Sequence, residues 1–318
     1  MNTEPFCDWI TVSEDHLEHH RSPCQWQATL NDHGEVVEKR RVPLDVPLKN
    51  NSSVRVFSDG HRVQFSGNPS RADRLDNFSG LSVDQAKAKI NSIMAALELP
   101  AFTKYAKISR IDLTQNYATG GKAGEFLRHM QAQQCGRLGR TVTEGNVYFG
   151  IGSRHRTVRV YDKGREIRET KLKGLKGPDY EYMVNLAEWC EGQGIVRIEA
   201  QYMRSLYGIM RSWKSAQQRA IAPIFKTEVE PMAKIEVVDL ESVPQPYLGT
   251  LCMYISGIDP KDHISESTYK RHKAKLKKLG YDIGANAPIP MRAQKHVIVL
   301  TPAGTPDFYR HPEEQEVG

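Results

Sequence analysis

The sequence predicts an α/β (α+β) fold: a central, mostly antiparallel sheet with flanking helices, followed by a small basic helical unit. Three observations predict it. Several segments alternate apolar and polar residues with period two, as half-buried strands do. Between them lie segments with helical spacing and recognisable caps. Near the C-terminus, six of nine consecutive positions from Lys270 to Lys278 are cationic and none is acidic.

In chain order, Phe6–Val12 reads as the first strand. Ser53–Phe57 and His61–Phe65 flank a Ser58-Asp59-Gly60 turn, the pattern of a hairpin. A polar, turn-rich loop follows, with Asn68-Pro69-Ser70 and Asn77-Phe78-Ser79-Gly80. Ser82 is placed to cap a helix running to about Leu99, with Ala86, Ile90, Ile93 and Met94 as its apolar stripe and Pro100 closing it. Lys107–Thr114 is the next strand. Helical signals run from Gly124 to Gln134 and within Tyr180–Cys190. Strands are expected at Asn146–Phe149, around Tyr161, and at Gly194–Gln201.

At 39% hydrophobic and 26% charged, the 318 residues describe an ordinary globular protein. The net charge of +6 is too mild to indicate nucleic-acid binding alone. No run reaches membrane-spanning length, and the first residues lack a signal-peptide pattern. Cys7, Cys24, Cys135, Cys190 and Cys252 are odd in number, scattered and without a CxxC pair. That argues against a disulfide framework or zinc site and for a reducing cytoplasm. His16, His19 and His20 sit among charges and are expected at the surface.

The chemistry concentrates on three polar strand faces. One carries Arg110 and Asp112, another Arg159, Tyr161 and Lys163, the third Arg197 and Glu199. Each alone is what any amphipathic strand shows. Paired in one sheet, they would supply two carboxylates, a tyrosine and several cations, an inventory for metal-assisted phosphoryl transfer. Cations beside Tyr161 favour phenolate over phenol, whose ordinary pKa is about 10. Arg110 and Arg197 are equally placed to pair with and orient the carboxylates. Asp8 is either a strand-end acid or a third metal ligand. His155 is the general-base candidate near Tyr161, with a DNA contact or a surface place as its other reading.

Ile108-Ser109-Arg110-Ile111-Asp112, then Ser153-Arg154-His155-Arg156-Thr157 with Tyr161-x-Lys163, then Val196-Arg197-Ile198-Glu199-Ala200 resemble, in order and spacing, the gene II replication initiators of filamentous phages. The likeness covers roughly residues 5 to 210, and the pentapeptide at Ser153 is its most specific piece. Gly152-Ser153-Arg154 with Arg159-x-Tyr161-x-Lys163 is also similar to plasmid rolling-circle initiators. The resemblance implies a nicking and joining enzyme. Tyr161 would attack the viral strand at the origin, remain on the 5′ phosphate and free a 3′ hydroxyl, then reverse the reaction to close the displaced strand. Arg154, His155, Arg159 and Lys163 would assist Tyr161. Asp112, Glu199 and Asp8 would hold Mg²⁺ or Mn²⁺. Arg156, Asn68, Ser70 and Asn77 would contact DNA. The implied partners are phage or plasmid origin DNA, duplex and single-stranded, with a host helicase and polymerase, in the cytoplasm of a bacterial host. A homodimer is compatible with this. The rival readings are a non-catalytic DNA-binding regulator and a metal-dependent nuclease that uses water.

These expectations divide the chain into a catalytic unit (1–217), a proline-marked linker (218–245), a basic unit (246–312) and an acidic tail (313–318). In the basic unit a helix around Tyr247–Ile255, a Gly257–Asp262 turn and a Ser265-capped helix to Leu279, stopped by Gly280, resemble a helix-turn-helix. Gln294–Leu300 and the Ala303-Gly304 turn would form its wing. Lys270, Arg271, Lys273, Lys275, Lys277 and Lys278 would make salt-dependent phosphate contacts; the other reading is a solvated lysine face. Base readout would fall to other groups such as Ser267, Thr268 or the Asn68–Asn77 loop.

Overall fold

The computed structural model describes residues 4–310 except 24, 49–51, 73, 131–138, 144, 204–207, 233, 239–242, 257, 280, 282 and 285–294. In chain order the elements are β1 (Phe6–Asp15), β2 (Gln25–Leu30), β3 (Val36–Val42), β4 (Leu44–Pro47), β5 (Ser53–Ser58), β6 (Arg62–Gly67), α1 (Val83–Ala96), β7 (Lys107–Ala118), α2 (Ala123–Met130), β8 (Arg140–Thr143), β9 (Asn146–Phe149), β10 (Arg156–Asp162), α3 (Lys163–Glu166), α4 (Gly177–Gln193), β11 (Ile195–Tyr202), α5 (Gln218–Val229), β12 (Lys234–Val238), α6 (Gln245–Ile255), α7 (Glu266–Lys278), β13 (Lys295–Val299) and β14 (Thr301–Pro302).

Every strand that the sequence predicts from Phe6 to Gln201 is present, and together they form one antiparallel sheet. Its order is β4-β5-β6-β1-β7-β11-β10-β9-β8, with β14 also on β7. The three strands bearing Arg110/Asp112, Tyr161 and Glu199 are therefore neighbours. Their apolar faces, with Ile111, Val158, Val160, Ile198 and Ala200, pack against α1, α2 and α5 through Ile90, Met94, Phe126, Ile221 and Phe225. The expected cap of α1 is a full capping box: Ser82 accepts from the Gln85 amide, and the Gln85 side chain accepts from the Ser82 amide. Phe78, Ile167, Met183, Leu186, Cys190, Ile195 and Tyr309 form a second apolar cluster.

Three stretches differ from the sequence reading. Residues 25–48, for which no element is expected, form β2, β3 and β4. The stretch read as a linker begins with α5, whose Ile221, Phe225 and Val229 join the main core. Pro223 lies inside that helix, and the apolar stripe around it outweighs one lost backbone bond. Pro231 falls in a following 3₁₀ turn, and Pro244 precedes α6. The expected wing is not a unit by itself: β13 pairs with β12, and the Ala303 amide donates to the Asn116 carbonyl on β7. α6 and α7 stand where the periodicity places them, over a small core of Val243, Leu251, Tyr269, Leu276, Tyr281 and Ile283. Gln134, Gly257, Gly280, Gln294 and the acidic tail lie outside the described residues.

No helix among the described residues is long and apolar enough to cross a membrane. Cys7, Cys190 and Cys252 are free thiols.

Candidate active site

The site is assembled by register. Arg159 on β10 stands opposite Glu199 on β11, and Tyr161 opposite Arg197. On the other side of β11, Glu199 faces Thr114, Gln201 faces Asp112 and Arg197 faces Asn116, all on β7. β1 completes the row. Its pairing with β7 slips between Cys7 and Trp9, so Asp8 is the extra residue of a bulge, a device that re-aims a side chain.

Tyr161 Oη donates to Glu199 Oε1 at 2.6 Å. The Arg159 guanidinium lies 4.1 Å from the centre of the phenol ring, 3.6 Å from Glu199 Oε2 and in hydrogen-bond contact with Asn146. Asp112 receives a two-pronged ion pair from Arg110 at 2.9 and 2.5 Å. Asp8 accepts from Asn68 Nδ2 at 2.7 Å.

The orientation role expected for the arginines thus holds for Arg110. Arg197 instead donates to Asn116 and to the carbonyls of Asn77 and Phe78. It is fully buried, and its Nη1 has no hydrogen-bond partner. Lys163 is also fully buried. It opens α3 behind the Asp162 cap and bonds Asn77 Oδ1 at 2.9 Å and Glu166 Oε2 at 2.7 Å.

The expected lowering of the phenol pKa is overturned. Tyr161 is 2% exposed, and burial pushes its pKa well above the ordinary value. Glu199 pushes the same way, and Arg197 offsets only part of it. Burial, then Asp8, also raises Glu199. Asp112 is pushed up to about 7, by burial first and then, against the pull of Arg110, by Asp8 and Glu199. Burial lowers Lys163, and Arg197 adds to that. Glu166 is held at about 2, because Lys163 and Lys171 overcome the effect of its burial. The ring is buried under charges and on the polar face of the sheet, away from the apolar core.

Other expected site residues lie elsewhere. Arg154 and His155 are exposed in the turn before β10. Tyr161 is near the other end of that strand, five residues past Arg156, roughly 17 Å at about 3.4 Å per residue. They do not reach the phenol, because a loop that precedes a strand meets only the near end. Arg156 is half-buried and pairs with Glu228 on α5 at 2.5 Å. Ser70 is buried and ties β1 to the chain after the loop: its hydroxyl donates to the Cys7 carbonyl and accepts from the Leu81 amide. Asn68 holds Asp8, and Asn77 holds Lys163. The loop expected to meet DNA therefore supports the site from within. Lys270, Arg271, Lys275, Lys277 and Lys278 are exposed on α7, and Lys273 is partly so.

Asn116, Asn146 and Glu166 are site residues that the sequence reading missed. Continuing the Arg110/Asp112/Thr114 alternation by one step reaches Asn116, and a three-residue step from Lys163 reaches Glu166.

Residues 8–215 match Phage_CRI, the family of the N-terminal region of the phage gene II replication-associated protein. The chain belongs to this gene II replication protein family. It is similar to the gene II replication-associated protein of Escherichia phage If1, 23% identical over 329 residues that cover 83% of this chain and 99% of that protein. The corresponding replication-associated protein of Enterobacteria phage I2-2 is 26% identical over 156 residues, 46% of this chain and 44% of that one. A solved rolling circle replication initiator from Geobacillus stearothermophilus aligns over 71% of this chain and 80% of that one, at 15% identity and a TM-score of 0.30. In the gene II family match, Asp8, Asp112, Tyr161, Lys163, Arg197 and Glu199 all fall within the matched span.

Proposed function

We propose that this gene II family member initiates rolling-circle replication by nicking and rejoining origin DNA, with Tyr161 as nucleophile. The observation that carries this reading is the Tyr161–Glu199 hydrogen bond on a face lined with cations. Glu199 takes the phenolic proton as the tyrosine oxygen attacks phosphorus. The raised pKa of Glu199 makes it a better base than an ordinary carboxylate. The bond from phosphorus to the 3′ oxygen breaks, and that oxygen takes its proton from water. Arg197, with a free Nη1 donor across from Tyr161, compensates the charge on the pentacovalent phosphorus. Attack by a 3′ hydroxyl on the phosphotyrosine reverses the step without a nucleotide cofactor. Arg159 covers the ring, so DNA must draw its guanidinium aside, and a backbone phosphate is a suitable lure.

Asp112, Glu199 and Asp8 have the oxygen chemistry that Mg²⁺ or Mn²⁺ prefers; Asp8 raises the pKa of both the others, a strain that a cation relieves. As they stand, each is held by Arg110, Tyr161 or Asn68. Among the described residues no three His, Cys, Asp or Glu side chains converge as a metal site. A bound cation would polarise the phosphoryl oxygen. The exposed cations of α7 would contact duplex phosphates beside the origin, and a host helicase and polymerase would extend the freed 3′ end.

Tyr161→Phe tests the reading. The variant should bind supercoiled origin plasmid but neither nick it nor form a covalent adduct. The buried ring also suits a structural tyrosine in a non-catalytic regulator; that reading requires the wild-type chain to leave the plasmid intact. Cleavage that survives Tyr161→Phe would point to a water-using nuclease.

A further inference from the structure

β2 and β3 form a two-stranded sheet of their own. All six residues of β2 and six of the seven in β3 are exposed, and none belongs to the three apolar cores. Its register places Trp26 opposite Arg41 and Ala28 opposite Lys39, on one face. On that face Lys39 Nζ lies 4.7 Å and the Arg41 guanidinium 5.2 Å from the Trp26 ring, which remains 52% exposed. Arg40 points to the other face and is fixed by two bonds to Gln27 at 3.1 and 2.8 Å. The charges are segregated along the ribbon. Lys39, Arg40 and Arg41 occupy its base, whereas Asp32, Glu35 and Glu38 lie toward the tip. An isolated hairpin with a tryptophan in water is poorly stable; here cation–π stacking and an anchor at the base brace it. The anchor is Arg41, which donates to Ser22 Oγ and to the Asp59 carbonyl in the β5–β6 turn.

We propose that the base of this ribbon is a second DNA contact, gripping the phosphate backbone of the duplex beside the nick. The proposal rests on the nicking reading for its polymer, but it concerns a surface remote from Tyr161. Asp8 marks the site end of β1, and Asp15, paired with Arg62 beside the same turn, marks the other. Seven residues at about 3.4 Å each separate them by roughly 24 Å. Along DNA that is about seven base pairs at 3.4 Å each. Three adjacent cations splayed over both faces of a thin arm suit a polyanion that passes it. The acidic tip keeps the contact to the base half. Phosphate contacts carry no sequence information, so the ribbon adds affinity and register for any sequence.

The test uses two labelled probes centred on the nick position, mapped by sequencing adduct ends. One is a duplex of about 40 base pairs, roughly four helical turns. The other is a single strand of about 12 nucleotides, too short to reach about seven base pairs past the nick. Binding is followed by fluorescence anisotropy against KCl concentration. The double variant Lys39→Gln/Arg40→Gln should bind the short strand like wild type. It should bind the long duplex about tenfold more weakly near physiological salt, with the slope of log K against log salt reduced by about two. A long duplex of unrelated sequence should lose as much. Trp26→Ala should weaken duplex binding without changing the slope. Unchanged thermal melting of both variants excludes misfolding. Equal affinity and slope for variant and wild type would overturn the proposal. So would a loss confined to one sequence, or a change only in self-association by sedimentation. A wild-type chain that binds duplex but never nicks it sinks the catalytic reading, and the ribbon's contribution is then read from the slopes on the long duplex of unrelated sequence.

Discussion

In the proposed reaction Glu199 is the residue on which proton transfer turns, since it accepts the phenolic hydrogen bond and has a raised pKa. Glu199→Gln should lower the nicking rate by about 10²- to 10⁴-fold, the usual contribution of a positioned base, with DNA affinity little changed. Glu199 must be ionised to accept a proton. The wild-type rate should therefore fall on the acid side, and that limb should vanish in the variant. Single-turnover nicking across pH reads both. Asp112 gives a stability signal of opposite character. Its pKa of about 7 in the fold exceeds the unfolded carboxylate value. The unfolded chain thus releases this proton first, and the contribution of Asp112 to stability is lost as pH rises toward 7. In the presence of a chelator, melting temperature should drop over that window, less so in Asp112→Asn. Mn²⁺ should restore it if the carboxylates hold the ion. At this scale the sequence revealed which residue types share a face, because strand alternation is strict. It did not reveal the sign of the Tyr161 shift. That sign depends on burial and on the cross-strand approach of Glu199, neither of which spacing encodes.

Among the elements, the loop from Asn68 to Gly80 is the hinge between sequence expectation and structure. Its sequence is polar and rich in turn residues, and the resemblance to gene II initiators implies DNA contacts there. Its polar groups are spent inward instead, on Asp8, Lys163 and Arg197. The partner that makes this possible is distant in sequence. Tyr309, 3% exposed, donates to Asp76 Oδ1 at 2.8 Å, meets Ser79 Oγ at 3.0 Å, accepts from the Ser79 amide at 3.1 Å and also contacts Arg74. A link spanning more than two hundred residues leaves no periodic trace. Tyr309→Phe removes one hydrogen bond each from Asp76, Ser79 and Arg74, while Phe78 still donates to Asp76 and Arg74 to Ser79; it should lower stability by about 1–3 kcal/mol in chemical denaturation. Ser82→Ala, by contrast, removes a cap plainly legible from its position before an apolar stripe. It should cost about 1 kcal/mol and leave nicking intact.

For the whole molecule, the C-terminal third is not a simple appendage. α5 sits in the main core, β14 joins β7 and Tyr309 locks the loop beneath the site, while α6 and α7 keep a small core of their own. Prolines in the 218–245 stretch gave the appearance of a linker because composition registers proline before it registers the apolar stripe around it. The basic face of α7 was legible from charge alone. Neutralising Arg271, Lys275 and Lys278 to Gln should reduce the salt slope of duplex binding by about three, uniformly across sequences, while nicking of a short single strand persists.

The central claim is that the Tyr161 oxygen becomes joined to the DNA. The direct measurement is tandem mass spectrometry of the protein–DNA adduct after exhaustive nuclease and protease digestion. A nucleotide-5′-phosphate on the peptide containing Tyr161, and on that tyrosine, is the predicted result. A nucleotide on Tyr148 or Tyr202, or cleaved DNA with no modified tyrosine, would contradict it.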